Sequence, residues 1–155
     1  MNPYPAGEPA PMALPSLPSG HLVSTDPARL DLGLVHHWLS TDAYWALGRS
    51  PEKQRRAVEG SLNFGAYDSS SGAQVAYARV VTDRTTFAWL CDVYVDPDVR
   101  GEGLGTAFVK AVRDHVSQFG VRRFVLATND AHEVYRRLGF TELPDAGKWM
   151  VLTTG

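Results

Sequence analysis

The chain is poor in cysteine, in net charge and in long apolar runs, and each shortage closes a class of function. One cysteine, Cys91, among 155 residues cannot support an internal disulfide framework and suits a reducing compartment. It sits inside an apolar strand-like run, which predicts a buried core thiol. A formal net charge of −2 gives no electrostatic argument for nucleic acid or a membrane surface as partner. No apolar run approaches a membrane span, and the N-terminus lacks the basic segment followed by an apolar one that marks a secretory signal. The expectation is a cytoplasmic protein.

Familiar motifs are missing too. No Gly-Lys-Ser/Thr occurs, so a Walker loop is excluded, and no Gly-x-Ser-x-Gly elbow is found. Dinucleotide folds need Gly-x-Gly-x-x-Gly near the start, and the chain has Gly-x-Gly-x-Gly well past its middle. No Asp, Glu, His or Cys grouping has metal-ligand spacing. The adjacent His36 and His37 would point to different faces of a helix, so no metal is expected.

What is present begins with punctuation. Residues 1–20 hold six prolines and read as an extended or disordered tail. The folded part, 21–155, opens with a strand at 22–25. A helix capped by Asp31 follows, with Leu32, Val35, His36 and Leu39 near one face. A second helix begins at Ser50-Pro51, turning Ala57 and Val58 inward. Strands are expected at 62–67, 73–81 and 87–95, a helix from about 103 to 118, and a strand at 121–127. A helix at 130–138 would have Asp130 and Glu133 as a capping box and Gly139 as its left-handed cap, and strands at 140–143 and 149–153 would close the sheet.

The richest stretch runs from Val93 to Thr106. A β-branched run meets a Pro turn, then Arg100, then Gly101, Gly103 and Gly105, then a helical run. Strand, glycine loop and helix make an anion site from backbone: glycines permit close approach, and the helix start offers unpaired N–H groups and a positive dipole end. A tight strand–helix connection with glycines for packing is the plainer alternative. Here Arg100, Gly103 and Gly105 fit Arg-x-x-Gly-x-Gly. A second block runs from Leu126 through Asn129, His132 and Tyr135 to Gly139-Phe140 and ends in Tyr-x-x-x-Gly-Phe. With both blocks in this order, the chain resembles the GNAT superfamily of acyl-CoA N-acyltransferases across roughly residues 21–153.

The resemblance implies a single α/β domain with a mixed, mostly antiparallel sheet flanked by helices. It implies acetyl-CoA as cosubstrate. Arg100, Gly101, Glu102, Gly103, Leu104, Gly105 and Thr106 would hold its pyrophosphate, and the backbone of Val93, Tyr94 and Val95 would pair with the pantetheine arm as an added strand. Tyr135 would give a proton to the departing thiolate; a core aromatic is its alternative. Asn129 and His132 would contact CoA, or serve only as a helix flank and a solvent-facing histidine. Asp92 would take the amine's proton, with an ion pair or an anchor for the amine as rivals; alternation puts it with Tyr94, opposite Cys91, Val93 and Val95. The acceptor would meet His37, Trp38, Tyr44 and Trp45, an aromatic wall that could equally be core plugging. The expected reaction is direct attack by a primary amine of a small molecule or peptide. The alternatives are a protein N-terminal or lysine acetyltransferase and a non-catalytic CoA-binding sensor. A homodimer stays open.

Overall fold

The computed structural model describes residues 13–154. Six strands lie in chain order in one sheet: β1 (Ala13–Leu14), β2 (Leu22–Ser24), β3 (Leu62–Tyr67), β4 (Gln74–Thr82), β5 (Ala88–Val95) and β6 (Phe124–Val125). Every neighbouring pair is antiparallel except β5 and β6, which run parallel. Four helices cover it: α1 (Leu32–Asp42), α2 (Pro51–Glu59), α3 (Leu104–Ser117) and α4 (His132–Arg137). None is long and apolar enough to cross a membrane.

Short-range chemistry starts the first two helices where the sequence places them. The Asp31 carboxylate accepts from Leu34 N–H at 3.0 Å. Ser50 Oγ accepts from Lys53 N–H at 3.2 Å, with Pro51 in the first turn. The sheet then separates two cores. On one face Val23, Phe64, Val80 and Leu90 pack against Phe108, Val112 and Val116 of α3. On the other, Tyr77 and Tyr94 pack with Val35, Trp38 and Leu39 of α1 and Val58 of α2. Truncating a fully buried ring such as Phe64 or Phe108 to Ala would cost about 3–5 kcal/mol.

Several expectations need correction. Within the described part of the proline-rich stretch, β1 pairs with β2 and Leu17 is buried in the first core. Leu14 and Leu17 supply apolar anchors between the prolines; residues 1–12 lie outside the described part. The helix α4 starts late and without the Asp130–Glu133 box. Thr128 Oγ1 instead accepts from Ala131 N–H at 3.2 Å, while Gly139 does take the left-handed conformation. The strand expected at 121–127 shrinks to two residues, and neither 140–143 nor 149–153 pairs with the sheet. Strand propensity was there; a paired neighbour was not, and isolated strands do not hold in water.

The decisive local feature is a bulge in β5. Tyr77 faces Tyr94 and Arg79 faces Cys91, so Ala78 alone opposes both Asp92 and Val93. Asp92 sits at φ 53, a left-handed conformation that Asp tolerates better than most residues. The extra residue breaks the alternation. Leu90 and Tyr94, four apart, should share a face, yet they belong to opposite cores. Cys91 therefore does not join Val93 and Val95 in the core under α3. It is half-buried, and burial raises its thiol pKa.

Candidate active site

The parallel pairing of β5 and β6 is brief: Ala88 faces Phe124, Trp89 faces Val125, and the strands then part. From Cys91 to Val95 the outer edge of β5 has no strand beside it among the described residues. The bulge at Asp92 adds local twist to β5 here, and a cleft of about 280 Å³ opens. Tyr44, Trp45, Cys91, Asp92, Val93, Leu126, Thr128, Asn129 and Tyr135 line it. A larger cavity of about 700 Å³ adjoins it beyond β6 and shares Leu126, Ala127, Thr128 and Tyr135.

Asp92 is the hub of one wall. It is 4% exposed. Its Oδ1 accepts from the Trp45 indole N–H at 2.8 Å and from Arg49 Nη2 at 3.3 Å. Its Oδ2 accepts from Arg49 Nη1 at 2.6 Å and Arg79 Nε at 2.6 Å. Burial pushes its carboxyl pKa up, but the bonds from Arg49 and Arg79 outweigh burial and hold it below the ordinary aspartate range. Arg49 Nη1 also donates to Gln54 Oε1 at 2.9 Å, and Arg79 Nη1 to Ser61 Oγ at 3.2 Å. The hub thus ties β5 to β4, to α2 and to the loop after α1.

Sequence reading missed Arg49, Arg79 and Gln54. A signal existed for Arg79: an arginine in the apolar run of β4, one strand away from an aspartate in the apolar run of β5.

Tyr135 stands on the opposite wall. It is half-buried against the first core, edge-on to Phe140 at 5.8 Å between ring centroids. Burial pushes its phenol up to about 12, with Tyr44 and Asp130 adding in the same direction. At neutral pH it is therefore a proton donor. Between the walls, the Tyr44 hydroxyl accepts from Asn129 N–H at 2.9 Å, bridging the α1–α2 loop to the β6–α4 loop. Tyr44 meets Trp45 edge-on at 4.8 Å, and both rings are partly exposed to solvent.

The expected aromatic wall accordingly divides. Tyr44 and Trp45 line the cleft. Trp38 does not: it is buried, stacked on Tyr94 at 5.3 Å, and belongs to the core beneath α1. His37 is exposed on α1 and is absent from the cleft lining. The helical period turned Trp38 inward and its neighbour outward. His132 is exposed at the start of α4 and lines the larger cavity beyond β6, not the cleft.

At the far end of β5, Gly101 and Gly103 have φ of 88° and 79°, and a Cβ on either would meet no atom within 4 Å. Gly103 is the N-cap of α3 and no side chain caps that helix, so the amides of its first turn face an open approach. Gly105 has an ordinary φ, and its Cβ would sit in normal contact with Val95, at 3.5 Å. Leu104 is buried in the first core. Arg100 turns back onto β5: its Nε donates to Val95 C=O at 2.8 Å, its guanidinium lies 4.9 Å above the Tyr94 ring, and Nη2 is 3.6 Å from Asp42.

The single mixed sheet of six strands flanked by helices is the fold that the two sequence blocks imply. The model of the acetyltransferase (GNAT) family matches residues 32–140. The chain belongs to the GNAT family. A solved protein from Xanthomonas campestris pv. campestris, named as an acetyltransferase of the GNAT family, is 44% identical and superposes with a TM-score of 0.81 over 86% of this chain and 93% of that one. A Gibberella zeae protein named as an acetyltransferase is 30% identical over 141 residues, 79% of this chain and 80% of its own. Serotonin N-acetyltransferase 2 of Oryza sativa subsp. japonica is 37% identical over 106 residues, 66% of this chain and 53% of that protein. A Mycobacterium tuberculosis structure in complex with CoA shares the fold (TM-score 0.65, 22% identity, 78% of this chain and 72% of that one). As a GNAT member the chain is an acetyltransferase, in a family that uses acetyl-CoA.

Proposed function

We propose that this GNAT chain acetylates a primary amine in the β5–β6 cleft. One observation carries the reading: parting of the strands sets Tyr135, a neutral phenol, across from the unpaired edge of β5. The residues fit acetyl-CoA. The amides of residues 101–106 would hold its pyrophosphate, with Cβ-free space at Gly101 and Gly103. The outer edge of Val93 to Val95, where the Val95 carbonyl now accepts from Arg100, would pair with the amides of its pantetheine arm, near Asn129. When bound, it supplies an activated acetyl group as a thioester.

The chain's own residues do the rest. Tyr44 and Trp45 form an apolar wall for the acceptor, which suits an amine with an aromatic or alkyl body. Tyr135 donates its proton to the departing sulfur. Asp92 holds the wall in place through Trp45 and Arg49. Both its oxygens already take donors from three side chains, so it is a positioning residue and not the base. The acceptor then gives one proton to water before it reacts and a second, as its nitrogen becomes the amide, to solvent that reprotonates Tyr135; kcat/KM rises with pH along the acceptor's own ionisation, without an inflection from Asp92.

The test is CoA release from acetyl-CoA, measured against a panel of aryl- and alkylamines, amino acids and peptides. Amine-dependent release, fastest with apolar primary amines, is the expected result. Binding of acetyl-CoA with no release for any acceptor would instead make the chain a CoA-binding module. Fastest release with peptides would point to a protein acetyltransferase.

A further inference from the structure

We infer that Trp89 sets acceptor specificity: with Tyr44 and Trp45 it makes a three-ring seat for a monoamine on a flat, uncharged aromatic body. The inference deepens the acetyl-transfer reading and rests on it.

The seat follows from the strand. In Ala88-Trp89-Leu90 of β5 the outer two side chains are buried in the core under α3, so alternation turns Trp89 to the opposite face. The core beneath α1 and α2 reaches Tyr77 and Tyr94 on that face but not Trp89. Val81, the residue across from Trp89 on β4, is likewise exposed. One exposed indole is ordinary on a protein surface. Three half-exposed rings around one cleft are not: Tyr44, Trp45 and Trp89 are 45%, 44% and 45% exposed, and all line the cleft of about 280 Å³. Two of the rings are fixed by polar bonds, Trp45 to Asp92 and Tyr44 to Asn129, so the seat needs little ordering when a ring enters.

The lining also selects by charge. Among the described residues it contains no lysine, arginine or histidine, so a carboxylate on the acceptor would lose its water with no cation to meet it. Its one carboxylate, Asp92, is already paired with Arg49 and Arg79, so a second ammonium finds no counter-charge either. Amino acids and diamines are thereby disfavoured, and a single amine on a neutral body is left. Reach agrees. At about 3.3 Å of rise per residue, Trp89 lies about 10 Å along β5 from the bulge at Asp92. A phenyl or indole ring on a short alkyl chain spans that length, with its ring offset-stacked on Trp89 and its amine toward the unpaired strand edge.

The test measures CoA release and acceptor binding side by side. Phenethylamine should give a kcat/KM about 3- to 10-fold above cyclohexylethylamine, which has the same carbon count but no flat face. Phenylalanine and hexamethylenediamine should fall about 10²-fold below it. Trp89→Ala should raise the KM for phenethylamine about 10-fold and erase its margin over cyclohexylethylamine, with kcat and the acetyl-CoA-induced rise in Tm nearly unchanged. Trp89→Phe should restore most of that margin. Should Trp89→Ala fail to fold, Trp89→Leu, which keeps bulk without a ring, takes its place. Transfer to phenylalanine or the diamine as fast as to phenethylamine, or a Trp89→Ala variant that keeps the margin, would overturn the seat and leave acetyl transfer standing. Calorimetric binding of phenethylamine that Trp89→Ala weakens, with no CoA release for any amine, would keep the seat and overturn the acetyl-transfer reading. Neither binding nor release would overturn both.

Discussion

The two walls of the cleft are built in opposite ways. On the β5 side, eight strand residues are anchored to β4, and a buried carboxylate draws Trp45, Arg49 and Arg79 onto one point. On the β6 side, two strand residues are paired, α4 has six residues, and every residue from 141 to 154 is exposed. The difference teaches where this GNAT chain sets its geometry. The edge that would receive the thioester's arm is fixed from within the chain. The side bearing Tyr135 rests on a two-residue strand and a six-residue helix.

Breaking the rigid wall should have the largest effect. Asp92→Ala leaves Arg49 and Arg79 facing each other in a buried site, and should cost about 3–5 kcal/mol in urea unfolding. A loss below 1 kcal/mol would mean that the hub does not frame the wall. Asp92→Asn keeps the shape and should weaken turnover by the same factor at every pH. A loss that vanished as pH rose would restore Asp92 as the base.

A smaller effect is expected at the loop. Gly103→Val places a β-branched residue at φ 79° and a side chain in the space proposed for pyrophosphate. The rise in Tm caused by acetyl-CoA should disappear. Gly105→Ala has an ordinary φ and an ordinary 3.5 Å contact with Val95, so the rise should be nearly unchanged. Equal behaviour of the two variants would contradict the loop geometry.

Acidification should produce the smallest change. His115 is buried between Phe64 and Phe119, and burial, with the Arg84 charge, lowers its pKa. The unfolded chain therefore takes up this proton first. The contribution to stability is whole above the ordinary histidine value of about 6.5 and is lost as pH falls toward the folded value. Asp92, also lowered, adds a second loss of the same sign below about pH 4. The urea midpoint should thus decline from pH 7 to pH 5, and His115→Leu should flatten that decline. An unchanged slope would place a charged His115 in the fold.

The same contrast marks what could be read from the sequence. Asp31, Ser50 and the glycine loop were legible because caps and turns are decided within a few residues. The three central strands were legible because each pairs with its sequence neighbour. The bulge at Asp92 was not: it is one inserted residue in a pairing register, and alternation assumes that no such insertion occurs. The Asp92 partners lie 13, 43 and 47 residues away, beyond any local pattern. At the C-terminal side the strand composition of 149–153 was plain, but composition does not supply a paired neighbour.

The central claim is that Tyr135, held across the parted strands, gives its proton to the departing sulfur. Tyr135→Phe removes one oxygen and keeps the ring that packs on Phe140. Steady-state kinetics of this variant with acetyl-CoA and the best acceptor, at saturating concentrations and with chemistry rate-limiting, tests the claim most directly. The account predicts a kcat lower by about 10²-fold, with acetyl-CoA affinity and Tm close to the unaltered chain. An unchanged kcat would make Tyr135 a packing residue and contradict it.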